Sequence, residues 1–389
     1  MPASRSVYLD NAATSWPKPP EVLAAMARYL NEIGGNPGRS GHRLSIGAGR
    51  LVESTREAVA ELFHANDPLR VVFGANVTEA LNLALCGLLR SGDHVITSSM
   101  EHNSMMRPLR QLEKEGVELT VVACAPDGTL DVSQIEAVIQ PNTRLIALLH
   151  ASNVTGTLLP IAEAGRIARK HDLLMLVDSA ATAGAVKIDM VRDNIDLLAF
   201  TGHKSLLGPT GTGGLVIGER VNVSAIRPLK YGGTGSHSSS EEQPNFLPDI
   251  FESGTLNVIG LAGLDAGIRW IQEHGVDAIA ARHQEILSIF LAGLSEIPGV
   301  TLYGTRNPAL QVDTIAFNIS ELSPSEAGFI LDDEFGIQAR IGLHCAPAAH
   351  RTIGTFPSGA IRFAPGIFTS NDDVHYALDA VRQLLKRSA

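Results

Sequence analysis

Seven short apolar runs, VVF, HVITSS, ELTVVA, LIALLHA, LLMLVD, DLLAFTG and GGLVIG, follow one another from about Val71 to Ile217, with helical patterns between them. Strand-length runs separated by helices predict an α/β sheet covered on both faces. LLMLVD is the clearest case, because it is apolar throughout and then ends on a carboxylate, Asp178. Ligands of such sheets collect at the carboxyl ends of the strands. Asp178, Asn153 and the segment Thr201 to Lys204 all fall at such ends.

After Gly254 the pattern changes to long amphipathic helices, NVIGLAGLDAGIRWIQEHG and VDAIAARHQEILSIFLAGLSEI, then a strand, TIAFNI, and a closing helix near DDVHYALDAVRQLLKR. This texture predicts a second domain. The stretch between, YGGTGSHSSSEEQPNFLPD, is rich in Gly, Ser and Pro and reads as an exposed loop. No internal repeat is evident. A chain of 389 residues exceeds the size at which one core keeps growing, so two domains are the natural expectation. The division expected is a large domain over 16–255 and a smaller α+β domain from 1–15 and 256–389 carrying Cys345 and Arg362.

With 44% hydrophobic and 19% charged residues the composition is that of a folded soluble enzyme. The formal net charge of −10, with no basic run, argues against nucleic acid or anionic membrane as partners. The N-terminus has no apolar signal region, and no stretch reaches the ~20 apolar residues of a membrane span, so a cytoplasmic protein is expected. Cys86, Cys124 and Cys345 form neither a disulfide framework nor a zinc or redox C-x-x-C, and no metal is expected. Cysteine chemistry then falls to a single thiol.

Four segments carry candidate chemistry. Lys204, in Thr201-Gly202-His203-Lys204 before the glycine-rich turn Gly208 to Gly214, can be held desolvated, which lowers its pKa and makes its amine a Schiff-base nucleophile. Taken alone, most lysines solvate a surface. Asp178 can pair with a protonated pyridine nitrogen, although a lone strand-end Asp is more often a helix cap. Thr78 opens an apolar helical run after Gly74-Ala75-Asn76, and free N–H groups with the helix dipole suit a phosphate there; a plain cap is as good a reading in isolation. His102, in Glu101-His102-Asn103-Ser104, follows HVITSS, where it can stack on a planar ring and exchange protons, or serve as a hydrogen-bonded structural histidine.

Taken in chain order with Asn153, as Thr78, His102, Asn153, Asp178 and Lys204, the segments resemble the class V aminotransferase family of fold-type I pyridoxal-phosphate enzymes, and within it the cysteine desulfurase and selenocysteine lyase group. The resemblance runs from Tyr8-Leu9-Asp10-Asn11-Ala12-Ala13 to the final helix. Its most diagnostic motifs are Thr201 to Lys204, Ala151-Ser152-Asn153-Val154-Thr155-Gly156 and Arg340-Ile341-Gly342-Leu343-His344-Cys345-Ala346-Pro347. It implies pyridoxal 5'-phosphate on Lys204, with His102 stacked on the ring as acid or base and Asp178 at the ring nitrogen. Asn153 lies near the phenolic oxygen and the substrate carboxylate. Thr78, Thr201 and His203 hold the phosphate, joined by Thr255 from the other subunit of a homodimer. Arg362 binds the substrate carboxylate, for which its planar fork is suited, with Arg340 and His42 completing the substrate side; apart from the resemblance, Arg362 reads as a surface ion pair.

The resemblance makes Cys345 the nucleophile that takes sulfur, or selenium, from L-cysteine or L-selenocysteine, leaving L-alanine. A free cysteine is usually a small buried hydrophobe, but this one lies among few packing residues with Arg340 and His344 available to favour a thiolate. Its segment is short, as in the selenocysteine lyase branch, so a dedicated acceptor protein is implied. One departure stands out: Ala181 occupies the position, three after the aspartate, where the family often has a glutamine. The nearest competing reading is a class V transaminase or related lyase, which Lys204, Asp178 and Arg362 would serve equally. A Cys-His thiol hydrolase using Cys345 with His344 or His350 is a reading of a different class. A dinucleotide-binding protein is disfavoured, since Gly211-Thr212-Gly213-Gly214 lacks the third glycine of that motif.

Overall fold

The apolar runs do become strands of one sheet, and all but GGLVIG carry the chain to the same edge of it. The computed structural model describes residues 5–38, 40–236 and 239–388. In chain order they form β1 (Val7–Tyr8), α1 (Pro20–Arg28), α2 (Arg43–Phe63), β2 (Val71–Gly74), α3 (Val77–Leu88), β3 (His94–Ser98), α4 (Asn103–Lys114) and β4 (Glu118–Val122). Next come α5 (Val132–Ala137), β5 (Thr143–Leu149), α6 (Ile161–Lys170), β6 (Leu174–Asp178), β7 (Leu197–Thr201), β8 (Gly213–Ile217), α7 (Val258–His274) and α8 (Val276–Ser295). The chain ends with β9 (Val300–Tyr303), β10 (Ile315–Ile319), α9 (Pro324–Asp333), β11 (Ile337–Gln338), β12 (Arg340–Gly342), α10 (Pro347–Thr352), β13 (Ala360–Phe363) and α11 (Asn371–Ser388).

The large sheet has the order β2-β8-β7-β6-β5-β3-β4. β8 runs antiparallel to both neighbours, and every other pairing is parallel. Alternate side chains enter opposite layers, as the pleat requires. Ile96, Ile146, Met175, Leu198 and Val216 join one core with α2, α6 and α7, whereas Val95, Leu145, Leu176, Leu197 and Leu215 join another with α3 and α4. Burial on both faces is why these strands are continuously apolar.

A four-stranded antiparallel sheet, β12-β13-β10-β9, and the short parallel pair β1-β11 form around a third core with α9, α11 and the second half of α8. Residue 255 falls just before α7. Val258, Leu261, Leu264, Ile268 and Ile271 of that helix, with Ile279 of α8, nevertheless pack into the core of the large sheet. Within α8, membership of the third core begins at Ile286. The glycine- and serine-rich stretch is exposed over most of its described length, and His237 and Ser238 lie outside the described residues.

Candidate functional site

Register brings the candidate residues to one level. Gly74 of β2 pairs with Gly213 of β8, which pairs with Thr201 of β7, while Asp178 of β6 sits between Leu149 of β5 and Ala199 of β7. The carboxyl ends of β2, β3, β5, β6 and β7 therefore share an edge, from which α3, His102, Asn153, Asp178 and Lys204 depart.

Lys204 follows a turn that only glycine permits. Gly202 exchanges backbone bonds with Thr212 and Gly208, each 2.8 Å long, and a Cβ on it would stand 2.1 Å from the Thr212 hydroxyl. Burial above all brings the Lys204 amine down to about 8, helped by Arg362 and Arg340 and opposed by Asp178. Asp178 is buried and accepts the Ala180 N–H at 2.9 Å. Burial raises its carboxyl pKa against the pull of Ala180, Lys204 and Ser104. A cleft opens on Lys204, walled by Ala180, Ala181, Trp270 and Phe368 and by the pair His283 and Asp313, 2.5 Å apart.

His102 caps α4, its Nδ1 accepting the Ser104 N–H at 3.0 Å. Burial, and then the positive charges of Lys204, Arg340, Arg362 and Arg107, push it down to about 4, so it is neutral at pH 7. His203 is likewise pushed to about 4, by burial and by Lys204 and Lys18. At α3 the cap is Asn76, whose side chain accepts the Glu79 N–H at 3.0 Å. Thr78 is therefore not the capping residue; it stands exposed in the first helical turn with its hydroxyl uncommitted to that task. Thr201 is buried, with its hydroxyl 3.5 Å from the Thr212 carbonyl.

The second sheet faces these groups with Arg362 and the Cys345 turn. Arg362 is wholly buried, which corrects the surface-pair reading. One of its terminal nitrogens donates to the Asp10 carboxylate at 2.5 Å and the other to the Asn153 carbonyl at 3.0 Å. The Asn153 amide nitrogen donates to the His344 carbonyl at 2.7 Å. Arg340 donates to Sγ of Cys345, an exposed residue, at 3.4 Å. His344 does not favour a thiolate as expected: burial holds it down to about 2, hence neutral, and its ring pairs with His350 and the Arg340 carbonyl.

Two predicted residues stand apart from this cluster within the chain. His42 is exposed and caps α2 by accepting the Ser45 N–H at 3.2 Å, and Thr255 is exposed on the loop before α7. Sequence reasoning missed Asp10, Ser104 and Glu101. Glu101, fully buried, accepts from the Ser98 hydroxyl and the Leu149 N–H, and burial pushes it to about 8. Its place beside His102 was its only signal.

The family model described as aminotransferase class-V matches residues 7–376. A probable cysteine desulfurase of Halalkalibacterium halodurans is 35% identical over 87% of this chain and 84% of its own length. Another, of Methanothermobacter thermautotrophicus, is 33% identical over 97% of this chain and 94% of its own. Among solved structures, the apo cysteine desulfurase of Thermococcus onnurineus NA1 superposes with a TM-score of 0.92 at 33% identity, covering 98% of this chain and 95% of that one.

Proposed function

The chain belongs to the class-V aminotransferase family, a family of fold-type I pyridoxal-phosphate enzymes, and from that premise we propose that it removes sulfur from L-cysteine to give L-alanine, with Cys345 taking the sulfur. The observation that carries the reading is an exposed thiol, held by Arg340, on the turn that faces Lys204, Asp178, His102 and Arg362. L-selenocysteine is the second substrate we infer.

The residues present fit pyridoxal 5'-phosphate. Of the five buried side-chain polar atoms without a hydrogen-bond partner among the described residues, three, Oδ1 of Asn153, Nδ1 of His203 and Nε of Arg362, border the Lys204 cluster. Lys204 would hold the cofactor's aldehyde carbon, Asp178 its ring nitrogen, His102 its ring face and Asn153 its phenolic oxygen. Thr78, Thr201 and His203 would hold the phosphate at the start of α3, with Thr255 of a second copy completing the site in a homodimer. When bound, the cofactor supplies an electron sink for charge left on the substrate's α-carbon.

The chain's own groups do the rest. Arg362 offers Nε and its remaining N–H groups to the substrate carboxylate while Asp10 and the Asn153 carbonyl keep the guanidinium plane fixed, and we place His42 on the substrate side as well. The lowered pKa of Lys204 lets its amine take a proton from carbon near neutral pH and return it. The Cys345 thiolate attacks the substrate sulfur: an S–S bond forms, the C–S bond breaks, and its electron pair stays with carbon, which takes a proton to become alanine. The persulfide passes to an acceptor protein, in the cytoplasm. No helix among the described residues is long and apolar enough to cross a membrane.

Purified protein given L-cysteine and a thiol reductant is expected to release alanine and sulfide in equal amounts; a keto acid in place of alanine would instead identify a transaminase. Sedimentation showing a fully active monomer would contradict the shared phosphate site.

A further inference from the structure

Ser104 is a buried residue in the first turn of α4, placed between two groups that the proposed reaction uses. Its N–H donates to Nδ1 of His102 at 3.0 Å, and its Oγ lies 2.8 Å from the same nitrogen. The same hydroxyl is among the groups that favour the charged form of Asp178, after the Ala180 N–H and Lys204. A neutral imidazole that accepts an N–H at Nδ1 carries its own proton on Nε2. A second proton must then arrive at Nδ1. There it opposes the Ser104 N–H and finds an acceptor in the Ser104 oxygen, whose own proton is left to point at Asp178.

We propose that Ser104 is a positioning residue that fixes the Nε2–H form of His102 through its backbone and couples the proton state of His102 to Asp178 through its hydroxyl. The inference rests on the roles given to His102 and Asp178 above. One hydroxyl turns, and the only proton gained is the one the ring takes up. The other charged groups facing His102 are Lys204, Arg340, Arg362 and Arg107, none of which is an acceptor in its charged form. Asp178 also faces Lys204 and Glu101.

The test uses cofactor-free protein labelled with ¹⁵N-histidine, the His102→Gln variant identifying the signal. At neutral pH the wild-type ring is expected to show an unprotonated Nδ1. Ser104→Ala should lower the His102 titration midpoint by about one pH unit, a tenfold loss of proton affinity, because the charged ring loses its acceptor. Ser104→Thr, which keeps both the N–H and a hydroxyl, should restore it. A serine that merely helps to start α4 would change the unfolding temperature and leave the midpoint in place. That result overturns the proposal, as does a neutral wild-type ring protonated on Nδ1. In the loaded enzyme, Ser104→Ala should move the acid limb of kcat to lower pH with KM for L-cysteine changed by less than about twofold. An unmoved acid limb refutes the coupling even if the variant is too unstable to titrate. Failure of the wild type to release sulfide would count against the reaction and leave the cofactor-free titration standing.

Discussion

Arg340 reaches Sγ of Cys345 at 3.4 Å across a turn in which His344 and Cys345 both adopt left-handed backbone angles, φ 49° and 57°. Side chains other than glycine rarely take that conformation, and each such residue costs on the order of 1 to 3 kcal/mol unless its surroundings hold it. Here the carbonyls of both residues are held, that of His344 by the Asn153 amide and that of Cys345 by the Asn103 N–H. The turn is thus built to present one thiol.

Cys345→Ser is therefore expected to cut sulfide release from L-cysteine by more than about a hundredfold while the protein stays yellow. Selenide release from L-selenocysteine should persist at a substantial rate, because a selenol is more acidic and its carbon–selenium bond weaker. Parallel assays of the two amino acids check this. Full cysteine activity in the variant would return Cys345 to an ordinary surface residue.

Burial brings the Lys204 amine, at the strand edge, into range, to about 8. Borohydride treatment of the loaded enzyme should fix the cofactor covalently on this residue, as read by peptide mapping. Lys204→Ala should lose turnover with every amino acid, since both the holding amine and the proton carrier disappear. Label on another lysine would displace the assignment.

Arg362→Ala removes a buried fork whose contact with a carboxylate is worth roughly 2 to 4 kcal/mol, equivalent to about a thirtyfold or greater rise in KM. Arg362→Lys should rescue poorly, because an ammonium cannot face both Asp10 and a substrate carboxylate in one plane. Initial-rate kinetics decide it, and an unchanged KM would assign Arg362 to the Asp10 pair alone.

His150 lies off the reacting cluster, buried against Thr182 at 3.0 Å, and burial lowers it from 6.5 to about 4. The unfolded chain takes up its proton below about 6.5, whereas the folded chain resists until about 4. The stability His150 contributes is therefore fully present above pH 6.5 and is lost as pH falls toward 4, on the order of 3 kcal/mol across that window. Urea unfolding at pH 7 and pH 5 should show the decline, and His150→Asn should make it smaller, leaving the share of the other buried histidines, His102, His203, His344 and His350.

What the sequence discloses follows from range. Strands of the large sheet are buried on both faces, so each is a continuous apolar run, and Asp178 and Lys204 are legible because they stop or follow such runs. The pairing of Asp10 with Arg362 spans 352 residues and depends on β1 lying beside β11, which no local pattern records. That Asn76 rather than Thr78 caps α3 is settled by backbone angles at Asn76, φ −175° and ψ 174°, since either side chain is suited to the task. His344 reads as a thiolate partner because it adjoins Cys345 in sequence, yet its ring turns inward to His350. The change of core within α8 is hidden for a different reason: the helix is amphipathic throughout and simply exchanges partners along its length.

The bond from the Asn103 N–H to the Cys345 carbonyl, 2.9 Å long, ties the thiol's main chain to the first residue of the helix that His102 caps. Peeling the turn outward would leave the first N–H of that helix without its acceptor, next to the histidine that the proposed chemistry uses. Delivery of sulfur by a travelling loop and readiness for the next substrate are then mutually exclusive states. A turn tethered in this way offers its cargo by swivelling one side chain about a fixed backbone, so an acceptor of the kind proposed would have to bring its own reactive atom to Cys345.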